Sequence, residues 1–131
     1  MSINAYWDDV DSEIMRIDYE GEWTLEDQVS VSKRSKAMLG DDVRRNDVIV
    51  CVHDNAHFPK SLPQKDIHHI VQDITTNPGV RVFVGAPVIM QTVLDLFSGT
   101  LGGKMGVEIT TAKSIDSARS LIRRKRREQG K

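Results

Sequence analysis

The chain has 131 residues, of which 39% are hydrophobic and 28% charged, with a formal net charge of −1. That composition suits one globular domain with a real core, is too apolar for a disordered chain, and supplies no global field that would draw the protein onto nucleic acid or an anionic membrane. The single cysteine, Cys51, excludes an internal disulfide and lies in an apolar run, so it reads as a small buried hydrophobe rather than a reactive thiol.

The opening residues Met1 to Asp9 lack the basic region and apolar core of a signal peptide. No stretch reaches the ~18 unbroken apolar residues of a membrane span. A cytoplasmic protein is expected.

In chain order, Ala5-Tyr6-Trp7 forms a first short strand, followed by an acidic turn from Asp8 to Ser12. Met15, Ile17 and Tyr19 then alternate with Arg16, Asp18 and Glu20, the period of two of a strand with one wetter face. The two pieces make an N-terminal hairpin. Thr24 with Asp27 forms a capping box for a helix reaching about Leu39, where Gly40 stops it. The apolar stripe of this helix (Leu25, Val29, Met38, Leu39) is thin, which predicts a place on the edge of the domain.

Val48-Ile49-Val50-Cys51-Val52 is apolar without alternation, as in a central parallel strand covered on both faces. A polar loop from His53 to Lys60 follows. Ser61 then caps a helix whose Ile67, Ile70, Val71 and Ile74 share one face, ending at Asn77-Pro78-Gly79. Val80 to Val84 is the next strand, and Gly85-Ala86-Pro87 turns into a helix carrying Val88, Ile89, Val93, Leu94, Leu96 and Phe97. After a glycine-rich loop, Val107-Glu108-Ile109 makes a short last strand. Ser114 caps a final helix, and the chain turns basic and polar from Arg123 onward.

The order is β-β-α-β-α-β-α-β-α. It predicts an α/β fold: an N-terminal hairpin, then a mostly parallel sheet of four to five strands with helices packed on it. Residues 1–123 form one domain and residues 124–131 a basic flexible tail. In such sheets ligands and partners meet the loops beyond the carboxyl ends of the strands. The His53–Ser61 loop and the Gly85–Pro87 turn therefore share one rim.

The pieces Val48-Ile49-Val50-Cys51-Val52-His53-Asp54, Lys60-Ser61-Leu62, Val80-Arg81-Val82-Phe83-Val84-Gly85 and Ser114-Ile115-Asp116-Ser117-Ala118, taken in this order, resemble the STAS-like family of sulfate transporter and anti-sigma factor antagonist domains. The likeness runs from about Ala5 to Arg123. It implies a non-catalytic protein-interaction or regulatory module whose second-helix serine, here Ser61, accepts a phosphate from a partner kinase, with Asp54 as the acidic residue after the central strand. Where the family has an acid before that serine and a glycine after it, this chain reads Pro59-Lys60-Ser61-Leu62-Pro63, so it stands as a divergent relative with its own partner. The wider fold relationship reaches lipid-carrier-like domains, and the alternative function is a small-molecule or lipid carrier with a pocket under the 88–97 helix.

The residues expected to bind a partner or to regulate binding are Asp54, His57, Lys60, Ser61, Gly85 and Pro87. Ser61 as a helix cap contributes ~1 kcal/mol, and a phosphate there would face the positive end of the helix. A hydrolase or metal enzyme would rest on His53, Asp54 and His57. Yet His68 and His69 stand ~100° apart on a helix and more than a turn beyond its start, and neither HExxH nor CxxC is present, so no metal and no cofactor is expected. The stretch Gly99 to Gly106 is not a phosphate loop: it follows a helix, and Lys104 is succeeded by Met105 instead of Ser or Thr. The run Arg123 to Arg127 ends a helix favourably and stays solvated. Trp7 and Trp23 pack at the sheet edge. The partners expected are a protein, of the kinase or anti-sigma regulator kind, and a second copy in a homodimer, without nucleic acid.

Overall fold

The computed structural model describes residues 3–11, 13–40, 45–53, 79–85 and 107–129. Extended segments rich in β-branched and aromatic residues pair into one sheet: β1 (Ile3–Trp7), β2 (Ile14–Tyr19), β3 (Asp47–Val52), β4 (Gly79–Val84) and β5 (Val107–Ala112). They lie side by side in chain order. β1 runs antiparallel to β2, and the remaining pairs are parallel. The expected α/β fold, with its hairpin and mostly parallel sheet, is what the described residues form. Two strands extend past their expected limits: β1 starts at Ile3, and β5 runs on through Thr110 and Thr111, whose branched side chains suit an edge strand although their polarity reads as loop.

β3 is buried along its whole length between two parallel neighbours, as its unbroken apolar run predicts. Alternation sends Val48, Val50 and Val52 to one face, where they join Ile3, Ala5, Met15, Tyr19 and Phe83 under α1 (Leu25–Leu39). Ile49 and Cys51 point to the other face and pack with Ile14, Val80, Val82 and Val84 against Ala118 and Ile122 of α2 (Ile115–Gln129). The two helices thus cover opposite faces of the sheet.

α1 begins with the capping box read from the sequence: Asp27 N–H donates to Thr24 Oγ1 (3.2 Å) and Thr24 N–H to Asp27 Oδ2 (2.9 Å). Its buried face keeps Met38 and Leu39 of the expected stripe, which pack against the core, and otherwise differs from it. Gln28, Val31 and Ser32 turn inward, whereas Val29 is 47% exposed. A polar Gln28 is tolerated inside because its Oε1 accepts a bond from the buried Tyr19 hydroxyl (2.6 Å). Trp23 also departs from its expected place at the sheet edge. It is buried in the core, edge-on to Tyr19 with ring centroids 5.3 Å apart, while Trp7 does lie on the edge strand β1.

The expected flexible tail at 124–131 is helical as far as Gln129. Arg119, Arg123 and Arg126 recur at i, i+4 and i+7, one face of the helix, and that face meets acids. Arg119 donates to Asp8 (2.7 and 2.8 Å), Arg123 lies 3.7 Å from Asp11, and Arg126 donates to Asp47 (2.7 Å) and Asp11 (3.1 Å). Two residues of the basic run that reads as solvated, Arg123 and Arg126, thus join Arg119 in pinning α2 to the amino-terminal edge of the sheet, while Arg124 and Arg127 are exposed as expected.

The predicted helices behind Ser61 and from Val88 to Phe97 lie outside the described residues.

Candidate functional site

Of the residues expected on the rim, Asp54, His57, Lys60, Ser61 and Pro87 fall outside the described residues. Gly85 is described, as is His53 at the head of the expected loop. Both stand at the carboxyl ends of adjacent parallel strands. His53 N–H donates to the Tyr19 carbonyl (3.0 Å), which ties the exit of β3 to the exit of β2. Gly85, with φ 76°, passes so close to β3 that a Cβ on it would sit 2.5 Å from the Val52 carbonyl oxygen.

Below this rim, on the α2 face of the sheet, strand pairing assembles a polar cluster. Tyr6 pairs with Arg16 across β1 and β2, and Asp18 pairs with Cys51 across β2 and β3. Alternation then puts Glu20 above Asp18 and His53 above Cys51, so that Asp18, Glu20, Cys51 and His53 form a square of cross-strand neighbours at the carboxyl edge. The side of β2 that alternation marks as wetter is in fact largely enclosed: Arg16 is buried and Asp18 half-buried.

The cluster is closely bonded. The Tyr6 hydroxyl donates to Asp18 Oδ2, and the Arg16 guanidinium lies over the Tyr6 ring, 5.4 Å from its centroid. Arg16 also reaches Asp18 Oδ1 (3.4 Å) and Asp8 Oδ1 (3.3 Å). Burial, reinforced by the bond to Asp18, pushes the Tyr6 hydroxyl up to about 12, so it stays a donor at neutral pH. Burial also raises the Cys51 thiol, and Asp18 raises it further. Left to itself, that thiol remains protonated and packs as the small hydrophobe its sequence context predicts. His53 Nε2 lies 3.3 Å from Glu20 Oε1. It is shielded from solvent and, among the described residues, makes no hydrogen bond of good geometry.

The amino-terminal edge presents a different electrostatic picture. Burial acts to raise the pKa of Asp8, but bonds from Arg119, the Asp11 N–H and Arg16 outweigh it and hold the carboxyl at about 2. Asp47 is likewise buried, and bonds from Arg45 (2.9 Å), the Val80 N–H (3.0 Å) and Arg126 (2.7 Å) keep it below its ordinary value. Each buried acid here faces two guanidinium groups. On the α1 face, burial brings the pKa of Arg81 down to about 10, still charged at neutral pH, with its guanidinium donating to the Asn46 carbonyl. The cavity of about 40 Å³ between α1 and the sheet has room for a few waters.

Sequence reasoning missed this square because an apolar strand fully covered on both faces suggests no chemistry. A signal was nevertheless present: Asp18-x-Glu20 on one strand and Cys51-x-His53 on the next place four metal- or proton-binding groups on one face once the two strands are paired. No protein-family model and no curated protein matches the chain.

Proposed function

We propose that the chain is a protein-interaction or regulatory module of the STAS-like kind its sequence resembles, binding its partner at the carboxyl rim of β2, β3 and β4. The observation that supports this most is the partly exposed pair Glu20 and His53 at the carboxyl edge. At the amino-terminal edge the buried carboxylates are held by guanidinium groups in what is plainly a structural role. At the carboxyl edge, Glu20 and His53 keep side-chain exposures of 52% and 38% beside the close-packed turn at Gly85. Parallel sheets present their ligands and partners at this edge, and the sequence continues from it into the polar stretch Asp54 to Ser61 that carries the resemblance.

The test uses the full chain as bait against extract of its own host, with partners identified by mass spectrometry. Ser61→Asp, Asp54→Ala and His53→Ala are expected to lose a partner that wild type and Val29→Ser, altered on the exposed side of α1, both retain. If all five proteins capture the same set, the rim is not the working surface.

A further inference from the structure

We propose that Asp18, Cys51 and His53 form a binding site for a divalent cation of the zinc class, with Glu20 at its open side. This goes beyond the interaction module above and stands whether or not a protein docks on the rim.

The geometry is the first argument. One ligand atom from each of Asp18, Cys51 and His53 lies within 4.8 Å of the other two. Tetrahedral zinc, at ~2.0–2.3 Å from oxygen, nitrogen and sulfur ligands, separates them by ~3.5 Å. The required closure is about an ångström. Asp18 is held by Tyr6 and Arg16, so His53, half-buried and past the end of β3, supplies it by side-chain rotation; the pairing of β2 with β3 and the His53 N–H bond to the Tyr19 carbonyl fix the backbones behind all three residues.

Chemistry is the second argument. A carboxylate, an imidazole and a thiolate together suit a borderline-soft divalent ion better than magnesium or calcium, which take oxygen ligands. Coordination forms the sulfur–metal bond as the Cys51 S–H releases its proton to solvent. Two anionic ligands then match the charge of the ion. Arg16 opposes a cation here, but its own charge is shared between Asp18 and Asp8.

The third argument is the unsatisfied atom. His53 Nε2 is sealed from solvent, lacks a well-formed hydrogen bond among the described residues, and faces a carboxylate oxygen 3.3 Å away. A cation between an imidazole nitrogen and Glu20 gives both groups a partner. The Tyr6 hydroxyl completes the arrangement from behind, because a ligating carboxylate is ordinarily held by a hydrogen-bond donor of this kind.

Because Cys51 is the only cysteine in the chain, it is its own spectroscopic reporter. Titrating Co2+ alone into the full-length apo protein is expected to give one equivalent of binding with a thiolate-to-cobalt charge-transfer band in the near ultraviolet. Cys51→Ala, which keeps a small apolar group in the core, should abolish the band. His53→Gln should weaken binding about 100-fold, and Tyr6→Phe, acting through Asp18, about tenfold. Urea midpoints of the apo proteins check that each variant is folded. The proposal is overturned if wild type binds no Co2+ at millimolar concentration, if it binds without the charge-transfer band, which marks a surface carboxylate site only, or if folded His53→Gln binds as tightly as wild type.

Discussion

Replacing Asp8 with asparagine removes one negative charge from a fully buried position while keeping the shape of the side chain. Two estimates of the cost compete. Breaking a buried ion pair outright costs ~3–5 kcal/mol, because the surviving charge is stranded. Here neither guanidinium is stranded: Arg16 keeps Asp18 at 3.4 Å, and Arg119 keeps Asp116 at 3.0 Å and Asp9 at 3.3 Å. The smaller estimate therefore governs. A carboxyl whose ordinary value of 3.8 falls to about 2 in the folded protein contributes about 2 kcal/mol at neutral pH. Its pKa is depressed by folding, so the contribution is complete above about pH 5 and fades as pH falls toward 2. By pH 3 about 1 kcal/mol of it is gone. Urea unfolding at pH 6 should place Asp8→Asn about 1 M below wild type, for a slope of ~2 kcal/mol per molar, and the gap should halve at pH 3. Other carboxylates titrate in both proteins and cancel. A gap that is the same at both pH values refutes the electrostatic account of Asp8.

On α1, Val31→Ala should lower stability by about 2 kcal/mol through the cavity it leaves, whereas Val29→Ala should change it by less than ~0.5 kcal/mol; comparable urea midpoints for the two would mean that the buried face has been assigned to the wrong residues. Gly85→Ala combines a left-handed backbone with a Cβ at 2.5 Å from the Val52 carbonyl, so a loss of at least ~2 kcal/mol is expected in thermal or urea unfolding, and a neutral outcome rules out the close crossing of β3 and β4. Arg126→Met should cost about 1 kcal/mol, since Arg126 is partly exposed and Asp47 retains Arg45 and the Val80 N–H; helical circular dichroism should fall with it as the last turns of α2 fray, and unchanged ellipticity and midpoint would show that the contact with Asp47 does not secure the helix.

What could be read from the sequence followed from local rules with few competing outcomes. The all-apolar Val48 to Val52 has no stable home other than an interior strand, and the Thr24–Asp27 pair marks its helix start by spacing alone. Several of the readings that failed took polarity as a sign of exposure, as for the Arg16 face of β2 and the basic residues of α2; Trp23 and Val29 are apolar and failed otherwise. Gln28, Arg16 and Asp47 are polar yet buried, and their partners stand 9, 8 and 79 positions away in the chain. Arg126 and Asp47, the pair that joins the expected tail to the sheet, are separated by 79 positions, and no window of local pattern contains both. The polar square escaped notice for the same reason, since half of it belongs to β2 and half to the end of β3.

Arg16 joins the structural edge of the sheet to the proposed cation site, and that link makes a further result calculable. Its guanidinium divides between Asp8 and Asp18, at 3.3 and 3.4 Å. In Asp8→Asn one of these anions is gone, so the positive charge bears more fully on Asp18 and on any cation Asp18 helps to bind. One uncompensated charge acting over ~8 Å is worth on the order of 0.5 kcal/mol in bulk water and about 2 kcal/mol at an effective dielectric constant of ~20, a several-fold to roughly 30-fold loss of affinity. Asp8→Asn touches no proposed ligand, so Co2+ should still bind it with one equivalent and the same thiolate band, but at least several-fold more weakly than wild type. Equal or tighter binding in a folded Asp8→Asn protein would show that the two edges are electrostatically independent, leaving Arg16 as a purely local support for Asp18.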